Sequence, residues 1–221
     1  MKKLLTSRLL LPFCICLLFF VAYTSIGVIR HMHFLTGYDL ADVDQAIWKY
    51  SRFEAPISTN LTYAFTPILW DHVELIYPLL VPFYWMANSV YTLIILQAFG
   101  ICSSGVAVWL LCKKYKLSDF NTFALLVSYL SFYGIQNAIW ADVHSLVFGI
   151  TFLVWFLYFI EIKKWKTASV FFLLTIICKE DMALLTLLLS LVLFYFRRDK
   201  QLLWYVGGSI AYLLFIYEIY F

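Results

Sequence analysis

The sequence predicts an all-α integral membrane protein with about seven transmembrane helices in a single membrane domain, residues 1–221. Three observations carry this prediction. Hydrophobic residues make up 64% of the chain, the mean hydropathy is +0.86, and the charged residues (13%) form short clusters between long apolar runs. A water-soluble core could not bury so much apolar surface. The charge clusters therefore mark the loops between membrane spans.

The apolar runs place the individual spans. They lie at about residues 9–29, 89–111, 120–136, 145–160, 167–178, 182–196 and 202–221, with a first outer loop over 30–88. The first run is too long for the apolar part of a cleaved signal peptide, which indicates a retained helix. The run over 167–178 would cover only about 18 Å as an α-helix, so its ends must extend further or the bilayer must be thin there.

The distribution of basic residues orients the chain. With a cytoplasmic N-terminus, only four of the 16 Lys and Arg residues fall on the outer side, namely Arg30, Lys49, Arg52 and Lys179. This bias satisfies the positive-inside rule. We therefore expect a multi-pass protein of the cell membrane. Most acidic residues and all four histidines fall on the outer side, and nothing in the sequence indicates a nucleic-acid partner.

The first outer loop contains two further elements. One is an amphipathic helix that is expected to lie along the outer membrane surface. Its apolar face holds Leu40, Val43, Ile47 and Tyr50, and its polar face holds Asp39, Asp42, Gln45 and Lys49. The other element covers residues 75–87, which are apolar but few and include Pro78 and Pro82. This segment is expected to be re-entrant or interfacial rather than a span.

Several acidic residues of the outer loops have both structural and chemical interpretations. Thr36 to Asp39 and Asp71 to Glu74 both match a capping box, in which an acidic side chain satisfies the start of a helix. Asp142-x-His144 and the pair Glu180-Asp181 could bind a divalent metal such as Mg²⁺ or Mn²⁺, or could simply be solvated turns. His31 and His33 are more typical of an interfacial anchor than of a ligand pair.

Convergence favours the chemical interpretation of these acids. Alternating spans put three separate acidic segments on the same side of the bundle, where a pocket would meet the lipid headgroups. Carboxylates, a metal and basic groups such as Arg30, Arg52 and Lys179 could bind the phosphate of a lipid-linked substrate there.

An ordered set of motifs resembles a microbial family of predicted membrane proteins of unknown function. The set comprises Gly37-Tyr38-Asp39-Leu40, Asp44-Gln45, Trp48, Asp71-His72, Pro82, Tyr84, Leu96-Gln97, Asp142-x-His144 and Lys179-Glu180-Asp181. That family is in turn similar to the GT-C membrane glycosyltransferases, which take sugars from polyprenyl-phosphate carriers at the non-cytoplasmic face. The resemblance implies a GT-C-like N-terminal module.

The resemblance also implies roles for particular residues. Asp39 follows the first span, where GT-C enzymes carry the general base that activates the acceptor. Asp142, His144, Glu180 and Asp181 would bind a divalent metal or order the donor phosphate, and Lys179 would neutralise charge on that phosphate. Asp44, Gln45, Trp48, Asp71 and His72 are the remaining substrate-binding candidates.

The length of the chain departs from this pattern, because GT-C enzymes are usually about twice as long. We therefore expect the N-terminal half of such a protein, which could be a truncated and inactive product. Two other classes stay open. One is a transporter or lipid-handling protein, and the other is a non-catalytic multi-pass membrane protein. A transporter is expected to carry ionisable residues near the middle of its spans, and these spans hold few.

Overall fold

The computed structural model describes residues 2–59, 66–70 and 72–220, most of which are helical. The α-helices are α1 (Lys2–Met32), α2 (Tyr38–Tyr50), α3 (Val81–Met86), α4 (Val90–Lys114), α5 (Asp119–Leu130), α6 (Tyr133–Trp140), α7 (Ser145–Glu161), α8 (Trp165–Ile176), α9 (Glu180–Arg197) and α10 (Leu202–Tyr220). Short 3₁₀ helices cover Ile68–Trp70 and Tyr77–Leu80. Two-residue strands β1 (Ile57–Ser58) and β2 (Thr66–Pro67) pair antiparallel.

Three helices in the described part of the chain are long and apolar enough to cross a membrane. They cover Leu10–Met32, Val90–Lys114 and Leu202–Ile219, and α7 and α8 are shorter apolar helices. The predicted spans over 9–29, 89–111, 145–160, 167–178, 182–196 and 202–221 each coincide with one helix, α1, α4, α7, α8, α9 and α10 respectively.

Helix α4 lies at the centre of the bundle, because it contacts α1, α5 and α7. Small residues allow the helices to approach closely. A Cβ atom at Gly27 of α1 would lie 2.5 Å from a side-chain carbon of Ile94 in α4. A Cβ atom at Gly149 of α7 would lie 2.8 Å from Met182 in α9. Neither position could take a larger residue without moving its neighbour.

The segment predicted as one span over 120–136 is instead two helices, α5 and α6. Helix α5 ends at Leu130, and Phe132 has an extended backbone with φ −60° and ψ 134°. The side chain of Gln136 donates a hydrogen bond of 2.8 Å to the carbonyl of Ser131. A Cβ atom at residue 134 would lie 2.8 Å from the ring of Phe132, so the glycine leaves room for that ring. These local contacts stabilise the break, which apolar composition alone did not indicate.

The amphipathic helix predicted in the first outer loop is confirmed as α2, with a different partner for its apolar face. Leu40, Val43, Ala46 and Ile47 are buried. They face protein, because α2 contacts the 3₁₀ helix Tyr77–Leu80, α3 and α4. Pro78 and Pro82 each occupy the first turn of a short helix, where proline is well tolerated.

One end of the bundle is held together by a half-buried carboxylate. Glu161 at the end of α7 accepts hydrogen bonds from Lys114 Nζ at 2.7 Å, from the Tyr115 hydroxyl and from the Arg197 guanidinium. Burial alone would raise the pKa of Glu161, but these donors lower it to about 2. The C-terminal ends of α4, α7 and α9 therefore meet at this basic end, which we define by Lys113, Lys114, Glu161 and Arg197.

Candidate functional site

The three acidic segments predicted for the outer loops meet at the opposite end of the bundle. Asp142 accepts a hydrogen bond from the backbone of Gly37, just before α2. His144 lies 3.9 Å from Asp39, and Glu180 lies 2.7 Å from His72. We call this region the acidic end. The segments that the sequence analysis expects on one side of the bundle are thus in contact with one another or with the first outer loop.

Asp142 caps the start of α2, which corrects the capping-box interpretation of Thr36 to Asp39. The N-cap residue of α2 is Gly37, which has no side chain that could accept a hydrogen bond from the first amides of the helix. The carboxylate of Asp142, which is only 8% exposed, accepts the N–H of Gly37 at 2.8 Å and that of Leu40 at 3.4 Å. A Cβ atom at residue 37 would lie 2.8 Å from Asp142 Oδ2. The glycine therefore lets the carboxylate approach the helix start.

Because Asp142 accepts the amides at the start of α2, the side chain of Asp39 is not needed as a cap. Its side chain is 66% exposed at the first turn of α2, and its Oδ2 lies 3.9 Å from Nε2 of His144. That distance is too long for a direct hydrogen bond, so the two side chains lie side by side at the surface. An exposed carboxylate next to an imidazole can accept a proton from an approaching hydroxyl group.

Gln97 holds the loop that carries Asp142 and His144. Its side chain is buried in α4, with 4% exposure. The amide nitrogen donates to the carbonyl of Asp142 at 3.4 Å, and the amide oxygen accepts the N–H of His144 at 3.0 Å. A polar residue inside an otherwise apolar span is costly unless it is satisfied, and this pairing supplies the partners. Gln97 is a positioning residue that spacing alone does not reveal.

A second pair lies beside the first. Glu180, the first residue of α9, accepts the N–H of Val73 at 3.1 Å and contacts Nδ1 of His72 at 2.7 Å. Burial acts to raise the pKa of Glu180, but its hydrogen bonds to the backbone and to His72 lower it below its ordinary value. The pair joins the first outer loop to α9.

Glu74 and Ser145 complete the acidic end, and Ser145 was not singled out from the sequence. Glu74 accepts hydrogen bonds from the hydroxyl of Tyr77 at 2.7 Å and from the hydroxyl of Ser145 at the start of α7. Burial raises the pKa of Tyr77 well above its ordinary value. The capping box predicted over Asp71 to Glu74 stays a prediction, because Asp71 lies outside the described residues.

An open cleft of 540 Å³ lies along α2. It is lined by Tyr38, Ala41, Asp42, Asp44, Gln45, Trp48 and Thr59. Three of the predicted substrate-binding residues, Asp44, Gln45 and Trp48, therefore line one cavity. We call it the α2 cleft.

The polar groups of the α2 cleft are partly committed to contacts within the protein. Gln45 accepts hydrogen bonds from the backbone and hydroxyl of Thr59 at 2.9 and 3.2 Å. The guanidinium of Arg52 lies 4.1 Å from the ring centre of Trp48. Oδ1 of Asp44 is buried, and no residue in the described part of the chain hydrogen-bonds to it. Burial raises the pKa of Asp44, an effect that His31 only partly offsets.

The four residues predicted as metal ligands are distributed over separate contacts. Both oxygens of Asp142 accept backbone N–H groups, His144 lies near Asp39, and Glu180 bonds to His72 and Val73. Asp181 is exposed, and Lys179 is the half-buried residue that precedes α9. Within residues 2–59, 66–70 and 72–220, no group of three or more His, Cys, Asp or Glu side chains has the geometry of a metal site. A metal here stays a prediction.

Helices that are long and apolar enough to cross a membrane are typical of a helical membrane protein. The model of the family described as predicted membrane protein (DUF2079) matches residues 30–220, and the chain belongs to that family. The matched range includes the whole acidic end and the α2 cleft. No curated protein and no solved structure matches the chain.

Proposed function

We propose that this membrane protein transfers a sugar from a polyprenyl-phosphate carrier to an acceptor hydroxyl at the non-cytoplasmic face, with Asp39 as the general base. The observation that carries the proposal is the placement of Asp39. Its carboxylate is exposed, lies next to His144, and is flanked on α2 by Tyr38 and Asp42, which line the α2 cleft. The base and the sugar-sized cavity are thus on the same helix.

The chemical step is a direct displacement. The acceptor oxygen attacks the anomeric carbon while Asp39 takes the hydroxyl proton, and the bond between that carbon and the phosphate oxygen breaks. The polyprenyl phosphate leaves with the electron pair, and the anomeric configuration inverts. His144 lies close enough to Asp39 to orient the carboxylate or to pass the proton to solvent. No external oxidant or other reagent is required.

The α2 cleft has the chemistry that sugars need. The indole of Trp48 offers an aromatic face, and Asp44 and Gln45 offer oxygen atoms to sugar hydroxyls. Among the described residues the buried Oδ1 of Asp44 has no hydrogen-bond partner, and a sugar hydroxyl that reached it would supply one. Arg52 next to Trp48 adds positive charge beside this sugar site.

The donor phosphate would bind beside the sugar, near His72, Lys179 and the start of α9. Asp71, Asp181 and Glu180 are further candidates in this region. The resemblance implies that Asp142, His144, Glu180 and Asp181 hold a divalent metal, which would neutralise the leaving phosphate. The carboxylates of Asp142 and Glu180 are already bonded to backbone N–H groups, so the four residues do not fit one metal as they stand. No step of the proposed mechanism depends on a metal.

The proposal includes a topology of seven spans with the N-terminus in the cytoplasm. Helices α5 and α6 together form the third span, which is broken at Ser131. The ends of α4, α7 and α9 that carry Lys114, Glu161 and Arg197 are joined at the basic end. The acidic end lies at the opposite ends of the same helices. The positive-inside rule then puts the basic end in the cytoplasm.

The test is a transfer assay with the protein reconstituted in liposomes and a panel of labelled polyprenyl-phosphate sugars. We expect Asp39→Asn to reduce transfer about 10²- to 10⁴-fold, the usual contribution of a general base. Asp119→Asn is the matched control, because Asp119 is 65% exposed, also begins a helix, and lies at the basic end.

Two results would contradict the proposal. Full activity of Asp39→Asn would remove the base, and no transfer by wild-type protein with any donor would favour the non-catalytic or lipid-handling alternatives. Cysteine labelling that put residues 39 and 114 on the same side of the membrane would contradict the topology.

A further inference from the structure

Five exposed cations lie on two turns at the basic end. Lys163 and Lys164 belong to the turn between α7 and α8, and Lys166 belongs to the first turn of α8. Arg198 and Lys200 belong to the turn between α9 and α10. We call these five side chains the basic patch. Like charges that lie close together repel one another, and an anionic partner removes that repulsion.

Two contacts hold these two turns next to each other. The guanidinium of Arg197, the last residue of α9, donates a hydrogen bond to the carboxylate of Glu161, the last residue of α7. The hydroxyl of Tyr205 in α10 donates a hydrogen bond of 3.2 Å to the backbone carbonyl of Trp165, the first residue of α8. The cations of the two turns therefore belong to one surface of the protein.

The acidic side chains of this region are bonded to other groups. Glu161 accepts hydrogen bonds from Lys114 and Arg197, and Oδ1 of Asp199 accepts the N–H of Gln201 at 3.2 Å. Within the described part of the chain, no side chain of the basic patch forms an ion pair. The first nine residues, whose side chains the structure does not describe, contain no Asp or Glu. The basic patch therefore keeps a net positive charge that a partner can neutralise.

Exposed aromatic side chains border the basic patch. Tyr195 and Phe196 lie at the end of α9 and are 64% and 77% exposed, and Trp204 lies at the start of α10 and is 81% exposed. The guanidinium of Arg198 lies 5.2 Å from the ring centre of Tyr195, so the charged and aromatic surfaces adjoin. Aromatic side chains next to cations at the ends of apolar helices are typical of the interface between membrane and water.

An anionic glycerophospholipid matches both parts of this surface. Its phosphate has the charge that the cations require, and its acyl chains match the aromatic side chains. A dissolved anion would use the cations alone, and a zwitterionic lipid would bring an ammonium group next to the lysines. We propose that the basic patch binds an anionic glycerophospholipid, whose acyl chains lie along Tyr195, Phe196 and Trp204. This lipid site goes beyond the proposed sugar transfer and does not depend on it.

The experiment measures lipid binding to the full chain, purified in detergent, by native mass spectrometry with dioleoylphosphatidylglycerol as the probe. One lysine at a membrane surface contributes about a fivefold factor in affinity. We therefore expect about fivefold weaker binding to Lys164→Gln, and about 10- to 100-fold weaker binding when Lys163→Gln and Lys166→Gln are added to it. The matched control is Lys49→Gln, which removes one lysine from α2 in the first outer loop and should leave the affinity unchanged.

Three comparisons separate this site from lipid that merely surrounds the protein. Zwitterionic dioleoylphosphatidylcholine should bind wild-type protein more weakly than phosphatidylglycerol. Glycerol 3-phosphate, which has the phosphate without acyl chains, should not displace phosphatidylglycerol at equal concentration. Trp204→Ala should weaken the binding of phosphatidylglycerol because the acyl chains lose part of their surface.

Four results would overturn the proposal. Equal affinities of wild type and the triple glutamine variant for phosphatidylglycerol would remove the basic patch as the site. Equal weakening by Lys49→Gln and Lys164→Gln would show an effect of net charge instead of a local site. Equal affinities for the two lipids would refute recognition of the anionic headgroup. Displacement by glycerol 3-phosphate, or an unchanged affinity of Trp204→Ala, would refute the role of the aromatic border.

Discussion

The substitution Asp142→Asn tests the most consequential contact of the acidic end, the cap that a distant loop supplies to α2. The carboxylate of Asp142 is 8% exposed and accepts two N–H groups, from Gly37 and Leu40. An asparagine has one acceptor oxygen, so its NH₂ group would face one of these two donors. The loss of a hydrogen bond to a charged acceptor, with a buried donor left unpaired, costs about 1–3 kcal/mol.

Amide hydrogen exchange in lipid nanodiscs measures this loss locally. Exchange of the α2 amides reports the free energy of opening that helix. Because about 1.4 kcal/mol corresponds to a factor of ten, the amides of residues 38–50 should exchange about 5- to 150-fold faster in Asp142→Asn. The amide of Leu40, which bonds to Asp142 directly, should show the largest change.

The matched control is Asp119→Asn, which removes a carboxylate at the basic end. It should leave the α2 amides at their wild-type rates. Unchanged exchange of residues 38–50 in Asp142→Asn would show that the cap does not hold α2. A uniform increase over all helices would show general destabilisation instead, and would equally refute the local argument.

Two further predictions concern stability in detergent. Gly149→Ala should lower the free energy of unfolding by about 1–3 kcal/mol, because its Cβ atom would lie 2.8 Å from Met182 and 3.2 Å from Cys178. The control Gly207→Ala, whose Cβ atom would have no neighbour within 4 Å, should be neutral or stabilising. Equal melting temperatures of the two variants would contradict this prediction. The folded protein lowers the pKa of Glu161 from 4.5 to about 2, so its stabilisation is complete above pH 4.5 and is lost as the pH falls to about 2. In Glu161→Gln, thermal melts over this pH range should show a smaller decrease in stability, and an identical pH profile would count against the network.

The long helices were predictable because apolar runs of this length have few alternatives, and many of their boundaries, such as the ends of α4, α7 and α9, fall at charged residues. The amphipathic face of α2 was predictable for a similar reason, since Leu40, Val43 and Ile47 recur at helical spacing. The part of the molecule that covers this apolar face could not be predicted. A periodic apolar face indicates burial, but it does not distinguish lipid from protein, and here the 3₁₀ helix and α3 cover it.

The candidate site, too, could be predicted from the sequence only in part. The side of the bundle on which Asp39, Asp142, His144 and Glu180 lie follows from alternation of the spans, and in the structure they lie at the same end of the bundle in separate contacts. Their pairing depends on distances of a few ångströms between loops far apart in sequence. Local spacing suggested that Thr36 and Asp39 form their own cap, but Asp142 takes this role. The break at Ser131 also depends on side-chain contacts that hydropathy does not report.

The cap on α2 has a consequence for how the protein is made. Gly37 and its acceptor Asp142 are separated by 105 positions in the chain. At a synthesis rate of about 5–20 residues per second, the acceptor is polymerised roughly 5–20 s after the helix that it completes. During synthesis the first amides of α2 therefore lack their Asp142 acceptor for this time, and the side chain of Asp39 can come to lie beside His144 only after the segment before α7 has been made.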